Sequence, residues 1–274
     1  MPVRIFKQVG DLVSIPMCKS INISFKTGYF PDELKIARIT PIHKKGAKNI
    51  LNNYRPIASL PYMSKIYEKA MANRLFSFLN KFSLISEHQF GFQKKKSTSD
   101  ALISFIEKNY VALNNRKNAM NVFLDLSKAF DTVDHSILIN KLHFYGIRGL
   151  PLSWFRSYLN NRVQYVSIGS SKSSEKYIKI GVPQGSILGP ILFLIFINDL
   201  PRVSNELSYT LFADDTTLTY SHSNYPYLLN SLNVELELIN SWTKSNKLTV
   251  NVLKTELMLV TMRNLNLDHS GELW

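Results

Sequence analysis

The sequence predicts an α+β protein in which an antiparallel sheet is backed by helices. Segments rich in β-branched and aromatic residues, among them NAMNVFLDLS and YTLFADDTTLTY, are typical of strands, and long helical patterns lie between them. Their order does not follow the regular strand-helix alternation of a Rossmann fold. A further segment, RVQYVSIGSSKSSEKYIKI, alternates polar and apolar residues around a Gly/Ser turn, which predicts a β-hairpin. No repeat or low-complexity linker interrupts the chain, so one compact unit is expected.

The first half of the chain contains two helices that the sequence predicts from local signals. Residues 1–20 show no persistent period and are expected to form a loose lead-in, whereas residues 21–42 indicate a helix end, a turn, a short helix and a strand. Apolar residues at helical spacing then predict a helix, carried by Ile66, Ala70, Leu75 and Leu79. Ser97 or Ser99 is the candidate N-cap of the second helix.

The second half contains three more helices and a final pair of strands. Asp134 and Gly146 have the residue types that begin and end a helix, and Asp131 is expected in the turn before it. The apolar run ILGPILFLIFI predicts a buried helix that opens near a proline, and residues 228–244 predict a long helix. KLTVN and ELMLV are expected to form the last strand pair.

Composition narrows the class of protein before any motif is considered. The chain has 274 residues, 45% of them hydrophobic, which is enough for a substantial core. Its net charge of +13 and pI near 9.7 favour a polyanionic partner. A single cysteine, Cys18, excludes a disulfide framework and indicates a reducing intracellular setting, either nucleus or cytoplasm. The longest apolar run is too short to span a bilayer, so no membrane is expected as a partner.

Three aspartates in strand-like segments form the candidate catalytic group. Asp125 follows one apolar run, and the adjacent Asp214 and Asp215 interrupt another. Carboxylates are seldom buried without a partner, and no Lys or Arg lies close in either segment, so a pair of divalent cations is the expected counter-charge. Neighbouring strand residues point to opposite faces, and the pair is therefore expected at a hairpin tip, with Asp214 as the direct ligand and Asp215 in support. Structural caps or a salt-bridge cluster are the alternative.

Four ordered motifs carry a resemblance to a known family. FLDLSKAFDTVDH, GVPQGSILGPILFLIFINDL, FADDTTL and NYRPIASL together resemble the reverse transcriptase of non-LTR retrotransposons, in particular the jockey and CR1-like LINE elements. The resemblance implies a right-hand polymerase fold with an antiparallel palm sheet. It places the fingers at about 21–98 and 136–180 and the palm at about 99–135 and 181–262, between the lead-in and a polar tail at 263–274.

The resemblance also implies roles for individual residues of the palm. Asp125 and Asp214, with Asp215 beside them, resemble the ligands of two Mg²⁺ ions, for which Mn²⁺ is an alternative. Lys254 resembles a lysine that acts as general acid toward the pyrophosphate leaving group, although an exposed surface lysine is an equal reading of the sequence.

Further residues resemble those that bind the incoming deoxynucleoside triphosphate. Arg55 resembles the residue that grips the triphosphate, and Lys44 or Lys45 resembles a second phosphate contact, with a solvated charge as the alternative for both lysines. Phe130 resembles an aromatic residue under the sugar that excludes a 2′-hydroxyl, although a core phenylalanine is the simpler reading. Gln184 and Gly185 match the segment over the nucleotide and template, where glycines Gly181 and Gly185 permit close backbone approach to a ligand. A plain turn is the alternative.

The expected partners are an RNA template, a DNA primer and deoxynucleoside triphosphates. Lys94, Lys95 and Lys96 are expected to meet template phosphates without sequence choice. The resemblance thus implies an RNA-directed DNA polymerase. Neither an upstream endonuclease domain nor a thumb is recognised in the sequence, so a catalytically impaired, truncated RNA-binding remnant is the main alternative. A group II intron maturase is disfavoured because no splicing-associated thumb region is recognised.

Overall fold

The computed structural model describes residues 8–262, with the exception of the side chain of Asn52. It confirms an α+β architecture. The helices in chain order are α1 (Gly10–Thr27), α2 (Tyr62–Lys81), α3 (Thr98–Asn114), α4 (His135–Phe144), α5 (Gly149–Leu159), α6 (Leu188–Ile197) and α7 (Tyr225–Ser245). The strands are β1 (Ile36–His43), β2 (Tyr54–Ser59), β3 (Asn118–Leu124), β4 (Arg162–Ile168), β5 (Ser171–Lys172), β6 (Lys176–Ile178), β7 (Ser208–Phe212), β8 (Asp215–His222) and β9 (Glu256–Val260).

The described residues divide into two compact units, whereas the sequence suggested one. The first unit contains the residues up to Leu84 together with Phe130–Phe196, and the second contains Ile85–Ala129 together with the residues from Ile197 onward. The chain passes repeatedly from one unit to the other, so no linker marks a boundary in the sequence. Assignment of the units as fingers and palm stays a prediction.

The first unit is built on a mixed sheet. Its strand order is β2-β1-β4-β5, with β6 also paired to β4. β1 pairs antiparallel with β2 and parallel with β4, and this parallel pairing was not expected from the sequence. Phe30 lies in the core of this unit, where its ring contacts Trp154 and Tyr158 edge-on at centroid distances of 5.3 and 5.1 Å. Burial of these large rings contributes much of the apolar area that stabilises the unit.

The second unit contains a wholly antiparallel sheet with the order β7-β8-β3-β9. Helix α7 packs its apolar stripe, which includes Leu228, Leu232 and Ile239, against the face that bears Val122 and Leu218. Because successive strand residues alternate in direction, the opposite face carries Asn121, Phe123 and Thr219. Helix α3 contacts this face through Asn109, whose Oδ1 accepts from Asn121 Nδ2 at 2.8 Å. The face of the sheet that packs on α7 is thus apolar, and the face that packs on α3 is partly polar.

Most predicted elements are confirmed, and two are corrected. Residues 10–20 of the expected loose lead-in belong to helix α1, in which only Met17 and Ser24 are buried, so its helical period is faint in the sequence. KLTVN and ELMLV do not pair with each other. β9 pairs with β3, whereas KLTVN contributes an isolated bridge between Val250 and Leu126. β9 pairs with β3 from Ala119 to Phe123, and the bridge at Leu126 lies just beyond the end of β3.

Other outcomes concern helix ends, the membrane and the chain termini. Ser97 rather than Ser99 caps α3, in a capping box with Asp100, and Asp134 caps α4 as predicted. Within residues 8–262, no helix is both long and apolar enough to cross a membrane. Residues 1–7 of the expected lead-in and the expected polar tail at 263–274 lie outside the described residues.

Candidate functional site

The adjacent aspartates lie at the tip of a tight hairpin, as predicted. Phe212 pairs with Asp215 at the end of β7 and β8, so only Ala213 and Asp214 form the loop. Ala213 has φ = 58° and Asp214 is not among the residues with positive φ, which is the pattern of a type II′ turn. Glycine normally takes the first position of this turn, so an alanine there holds a costly conformation. The surrounding contacts must therefore hold the turn in place.

Strand register brings Asp125 beside the hairpin. Leu124 pairs with Thr216, so one further step of the ladder sets Asp125 opposite Asp215 on the same face of the sheet. On the other side of Asp125, the register of β9 points to Lys254, whose Nζ lies 3.9 Å from Asp125 Oδ2. The Asp125 carbonyl also accepts the Asn251 N–H at 2.8 Å. Three neighbouring segments thus place a row of charges across the end of the sheet.

The electrostatics of this row are those of crowded negative charges. Partial burial raises the pKa of Asp215, and the nearby carboxylates of Asp214 and Asp125 raise this pKa further. Lys254 offsets the repulsion only weakly, since its side chain is 62% exposed and its distance to Asp125 exceeds that of a hydrogen bond. The group therefore favours a cation that can approach all three carboxylates.

The donor set suits a hard divalent cation, although the side chains are not arranged around one. Carboxylate oxygens are the protein ligands that Mg²⁺ prefers. In residues 8–262, however, no three His, Cys, Asp or Glu side chains stand together as a group that could hold a metal ion. Ligation by Asp125, Asp214 and Asp215 together thus requires rotation of at least one of their side chains. The chemistry of the site fits the ion, and the present rotamers do not.

Three predicted phosphate-binding residues lie on one hairpin of the first unit. Arg55 pairs with Ile42 across β1 and β2, and the Lys44 N–H donates to the Asn53 carbonyl at 2.8 Å just beyond the paired strands. Lys44, Lys45 and Arg55 are all exposed. Alternation along β1 sets Lys44 on the face that Ile42 shares with Arg55, whereas Lys45 begins the turn. The register therefore favours Lys44 over Lys45 as the partner of Arg55.

The predicted nucleotide-covering loop packs closely on its own unit. Gln184 Nε2 donates to both carboxylate oxygens of Asp131 at 2.9 Å, and the Gln184 carbonyl accepts the Ala58 N–H at 2.8 Å. Gly185 has φ = 113°, and a Cβ on it would lie 2.6 Å from the Ala58 carbonyl oxygen. A Cβ on Gly181 would likewise lie 2.6 Å from the Asp131 carbonyl oxygen. Both glycines permit close approach to the protein's own backbone, and the predicted approach to a ligand stays a prediction.

Phe130 is part of the same layer of contacts. Its carbonyl accepts the Val182 N–H at 2.8 Å, and its ring stacks on Phe193 of α6 with centroids 4.5 Å apart. The side chain is half-buried. This stacking accounts for a core role of Phe130 and fixes the orientation of its ring, so the predicted contact with a nucleotide sugar stays a prediction.

The three lysines expected to meet phosphates are not equivalent. Lys94 and Lys95 are exposed, and Lys95 has φ = 64°. Lys96 is half-buried, and its Nζ donates to the carbonyls of Glu87 and Gln89 at 2.7 and 2.8 Å while lying 4.7 Å from the centroid of Phe90. Desolvation lowers the pKa of Lys96. Lys96 therefore stabilises the preceding segment, and Lys94 and Lys95 remain the candidates for phosphate contacts.

Two residues with clear structural roles were not identified from the sequence. Asp131 was predicted as a turn residue and does lie in a short 3₁₀ helix, but its carboxylate also holds Gln184. Gln89 was not singled out as a candidate, yet its Oε1 accepts the Ala213 N–H in the aspartate hairpin at 3.0 Å. Both contacts join residues far apart in the chain, so no local pattern indicates them.

Known proteins resemble both the sequence and the fold. Residues 42–269 match the family model described as reverse transcriptase (RNA-dependent DNA polymerase). A probable RNA-directed DNA polymerase from transposon BS of Drosophila melanogaster is 31% identical over 89% of this chain and 28% of that protein. The RNA-directed DNA polymerase from mobile element jockey of the same organism is 32% identical over 85% of this chain and 26% of that protein.

Solved structures of low sequence identity share the fold. Apo telomerase of Candida tropicalis truncated from the C-terminal domain has a TM-score of 0.61 at 15% identity, covering 92% of this chain and 56% of that one. A second apo telomerase structure from that organism gives 0.62 at 13% identity, covering 82% and 44%. The predicted right-hand polymerase fold is thereby confirmed. The chain spans about a quarter of the length of the curated relatives it matches.

Proposed function

Because the chain belongs to the reverse transcriptase family, we propose that it adds deoxynucleotides to a primer 3′-hydroxyl on an RNA template. The predicted resemblance to non-LTR retrotransposons is confirmed by the jockey and transposon BS relatives. The observation that carries the proposal is the row formed by Asp125, Asp214 and Asp215 at the ends of paired strands of one sheet. In this proposal the fingers are at about 21–98 and 136–180 and the palm at about 99–135 and 181–262, so most of the palm lies in the second unit and most of the fingers in the first.

Divalent metal ions are a general requirement of this family, and we infer two Mg²⁺ ions, with Mn²⁺ as an alternative. Asp125, Asp214 and Asp215 would hold them, and the raised pKa of Asp215, caused by burial and by the carboxylates of Asp214 and Asp125, supports this choice. When bound, such ions activate the primer hydroxyl and neutralise charge that develops on the transferred phosphoryl group. Lys254 Nζ, beside Asp125, is positioned to give a proton to the pyrophosphate oxygen that leaves.

The first unit supplies the residues proposed for nucleotide binding. Arg55 and Lys44 share a face at the end of one hairpin, where a guanidinium and an ammonium suit a triphosphate. Gln184 is held by Asp131 and can contact the nucleotide only in the orientation that this pairing sets. Phe130, fixed by its stack on Phe193, is the proposed barrier to a 2′-hydroxyl. Lys94 and Lys95 are the proposed contacts to template phosphates.

The decisive experiment is primer extension by the purified chain on an RNA template annealed to a DNA primer. Wild-type protein should extend the primer in Mg²⁺ and deoxynucleoside triphosphates. Asp125→Asn and Asp214→Asn should each abolish extension while leaving the fold intact by circular dichroism. Asp11→Asn is the matched control, because Asp11 is an exposed acidic residue in the first turn of helix α1. Extension that survives both active-site changes would refute the assignment of the carboxylates.

Binding of RNA without synthesis is the second candidate function. The observation that favours it is the exposure of Lys94 and Lys95, which can contact RNA phosphates whether or not the carboxylates bind metal. The net charge of +13 suits an RNA partner in either case. A chain that binds the primer-template with strong salt dependence, but extends no primer in Mg²⁺ or Mn²⁺, would establish this second function.

A further inference from the structure

The aspartate hairpin lies at an edge of its sheet, and another segment covers that edge. β7 is the outermost strand in the order β7-β8-β3-β9, so its outward N–H and C=O groups need partners. Residues 88–91 supply them by running parallel to β7. The Phe90 N–H donates to the Leu211 carbonyl at 2.8 Å, and the Leu211 N–H donates to the His88 carbonyl at 2.9 Å.

Gln89 continues this pairing onto the turn itself. Its Oε1 accepts the Ala213 N–H at 3.0 Å and the Gly91 N–H at 2.8 Å, so one side-chain oxygen joins the covering segment to the first residue of the turn. Ala213 immediately precedes Asp214. The backbone of residues 88–91 thus pairs with Leu211 of β7, and the side chain of Gln89 adds a hydrogen bond to the turn that follows β7.

The environment of Gln89 shows that this contact is maintained at a cost. The residue is only 2% exposed, and its Nε2 is buried without a hydrogen-bond partner among the described residues. A buried donor without a hydrogen-bond partner destabilises the folded state. An apolar residue would avoid that cost, whereas it could not accept the two N–H groups. The two bonds to Oε1 also determine the amide orientation, because only the oxygen can accept them.

The positive φ of Ala213 explains why the hydrogen bond to Gln89 matters. A positive φ at a residue other than glycine is costly, and the turn adopts it at the position that directs Asp214 and Asp215. A fixed partner for the Ala213 N–H opposes relaxation of this strained turn. An error of about 1 Å in the position of a catalytic group can lower a rate by roughly 10²-fold. A small relaxation here therefore has a large consequence for the carboxylates.

We propose that Gln89 is a positioning residue that fixes the catalytic turn through its hydrogen bond to the Ala213 N–H. The proposal rests on the proposed polymerase function for its kinetic consequence, but not for its structural one. It assigns to Gln89 no contact with metal or substrate. What it requires is an acceptor oxygen at this place, and it therefore distinguishes glutamine and glutamate from side chains that lack one.

The test compares three variants of the full chain. Gln89→Leu removes the acceptor at similar size, and Gln89→Glu retains it. Gln93→Leu is the matched control, because Gln93 Nε2 donates to the Gln89 carbonyl in the same segment without touching the turn. Gln89→Leu should lower the rate of nucleotide addition at saturating substrate by about 10²-fold, with little change in KM. Gln89→Glu should retain at least a tenth of the wild-type rate, and Gln93→Leu should match the wild type.

A readout independent of activity accompanies the kinetics. Native-state amide exchange, followed by NMR, should show the Ala213 N–H exchanging at least about tenfold faster in Gln89→Leu, as expected for loss of a bond worth about 1.4 kcal/mol. The Leu211 N–H should remain protected. Unchanged protection of Ala213, or a Gln89→Glu variant as impaired as Gln89→Leu, would overturn the proposal. Inactive wild-type protein would contradict the polymerase function alone, since the exchange result still tests Gln89.

Discussion

Replacement of Gly91 with alanine should displace the turn that carries Asp214. A Cβ on Gly91 would lie 2.3 Å from the Ala213 nitrogen and 3.0 Å from its Cα, both of them backbone atoms that cannot rotate away. Ordinary contact begins at 3.4 Å, so the nitrogen must separate from the new methyl group by about 1.1 Å, the difference between 3.4 and 2.3 Å. Gly91 is not among the glycines with positive φ, and the effect is therefore purely steric.

Either the turn or the covering segment can move to accommodate the new methyl group, and the size of the effect can be given for each case. If the turn moves by about 1 Å, the rate of nucleotide addition should fall by roughly 10²-fold. If the covering segment moves instead, three hydrogen bonds are lost: Phe90 to Leu211, Leu211 to His88, and Ala213 to Gln89. At about 1 kcal/mol each, this lowers the free energy of unfolding by roughly 3 kcal/mol.

Steady-state primer extension and urea denaturation measure the two effects on the same preparation. Gly10→Ala is the matched control, since nothing lies within 4 Å of a Cβ there and the residue begins helix α1, where alanine is favoured. It should leave the rate unchanged and the stability equal or slightly higher. A Gly91→Ala protein with both wild-type rate and wild-type stability would refute the close packing of residues 88–91 on the turn.

Two further predictions concern charge. Asp215→Asn should raise the melting temperature at pH 7 and abolish synthesis. The raised pKa of Asp215 means that the folded state binds its proton more tightly than the unfolded state does, so the stability of the wild type falls as the pH rises above 3.8. Thermal unfolding from pH 3 to 7 should therefore show that the variant loses its advantage in melting temperature at the acid end. Lys44→Ala should raise the KM for deoxynucleoside triphosphate about tenfold, because one charge-assisted contact is lost, whereas Lys45→Ala should change this KM less than twofold. Equal effects of the two variants in a nucleotide titration would contradict the placement of Lys44 on the same face as Arg55.

The hairpin at Asp214 could be predicted from sequence because two facts conflict there. Adjacent carboxylates cannot both lie on the buried face of a strand, and the run on either side is too apolar and β-branched for anything else. A turn that contains Asp214 and ends at Asp215 resolves the conflict. Helix caps such as Ser97 and Asp134 were equally accessible, since a cap depends on residues within one turn of the helix.

The contacts that hold the site could not be predicted in the same way. Gln89 and Ala213 are joined only after the segment at residues 88–91 pairs with β7, and no local sequence pattern indicates that pairing. Lys96 has the same composition around it as Lys94, yet it is drawn inward by the carbonyls of Glu87 and Gln89. A glycine at position 185 indicates that some group approaches the backbone closely. The residue type does not tell whether that group is a ligand or the backbone of Ala58.

The polar face of the second sheet has a consequence for catalysis through register. A slip of one residue in either neighbour of β3 would send Asp215 or Lys254 to the opposite face, away from Asp125. Asn121 opposes such a slip, because its fully buried side chain accepts from Thr219 of β8 at 2.7 Å and donates to the Met258 carbonyl of β9 at 3.3 Å.

Apolar residues at the same face would tolerate a slip more readily, since their contacts have little direction. A buried amide that is bonded to both neighbouring strands and to Asn109 of helix α3 does not, because each misplaced bond leaves a donor or acceptor unsatisfied at about 1–3 kcal/mol. The alignment of Asp125 with its partners is therefore fixed four residues away from the carboxylate itself. In this sheet, the buried amide of Asn121 thus helps to align the carboxylates of the proposed active site.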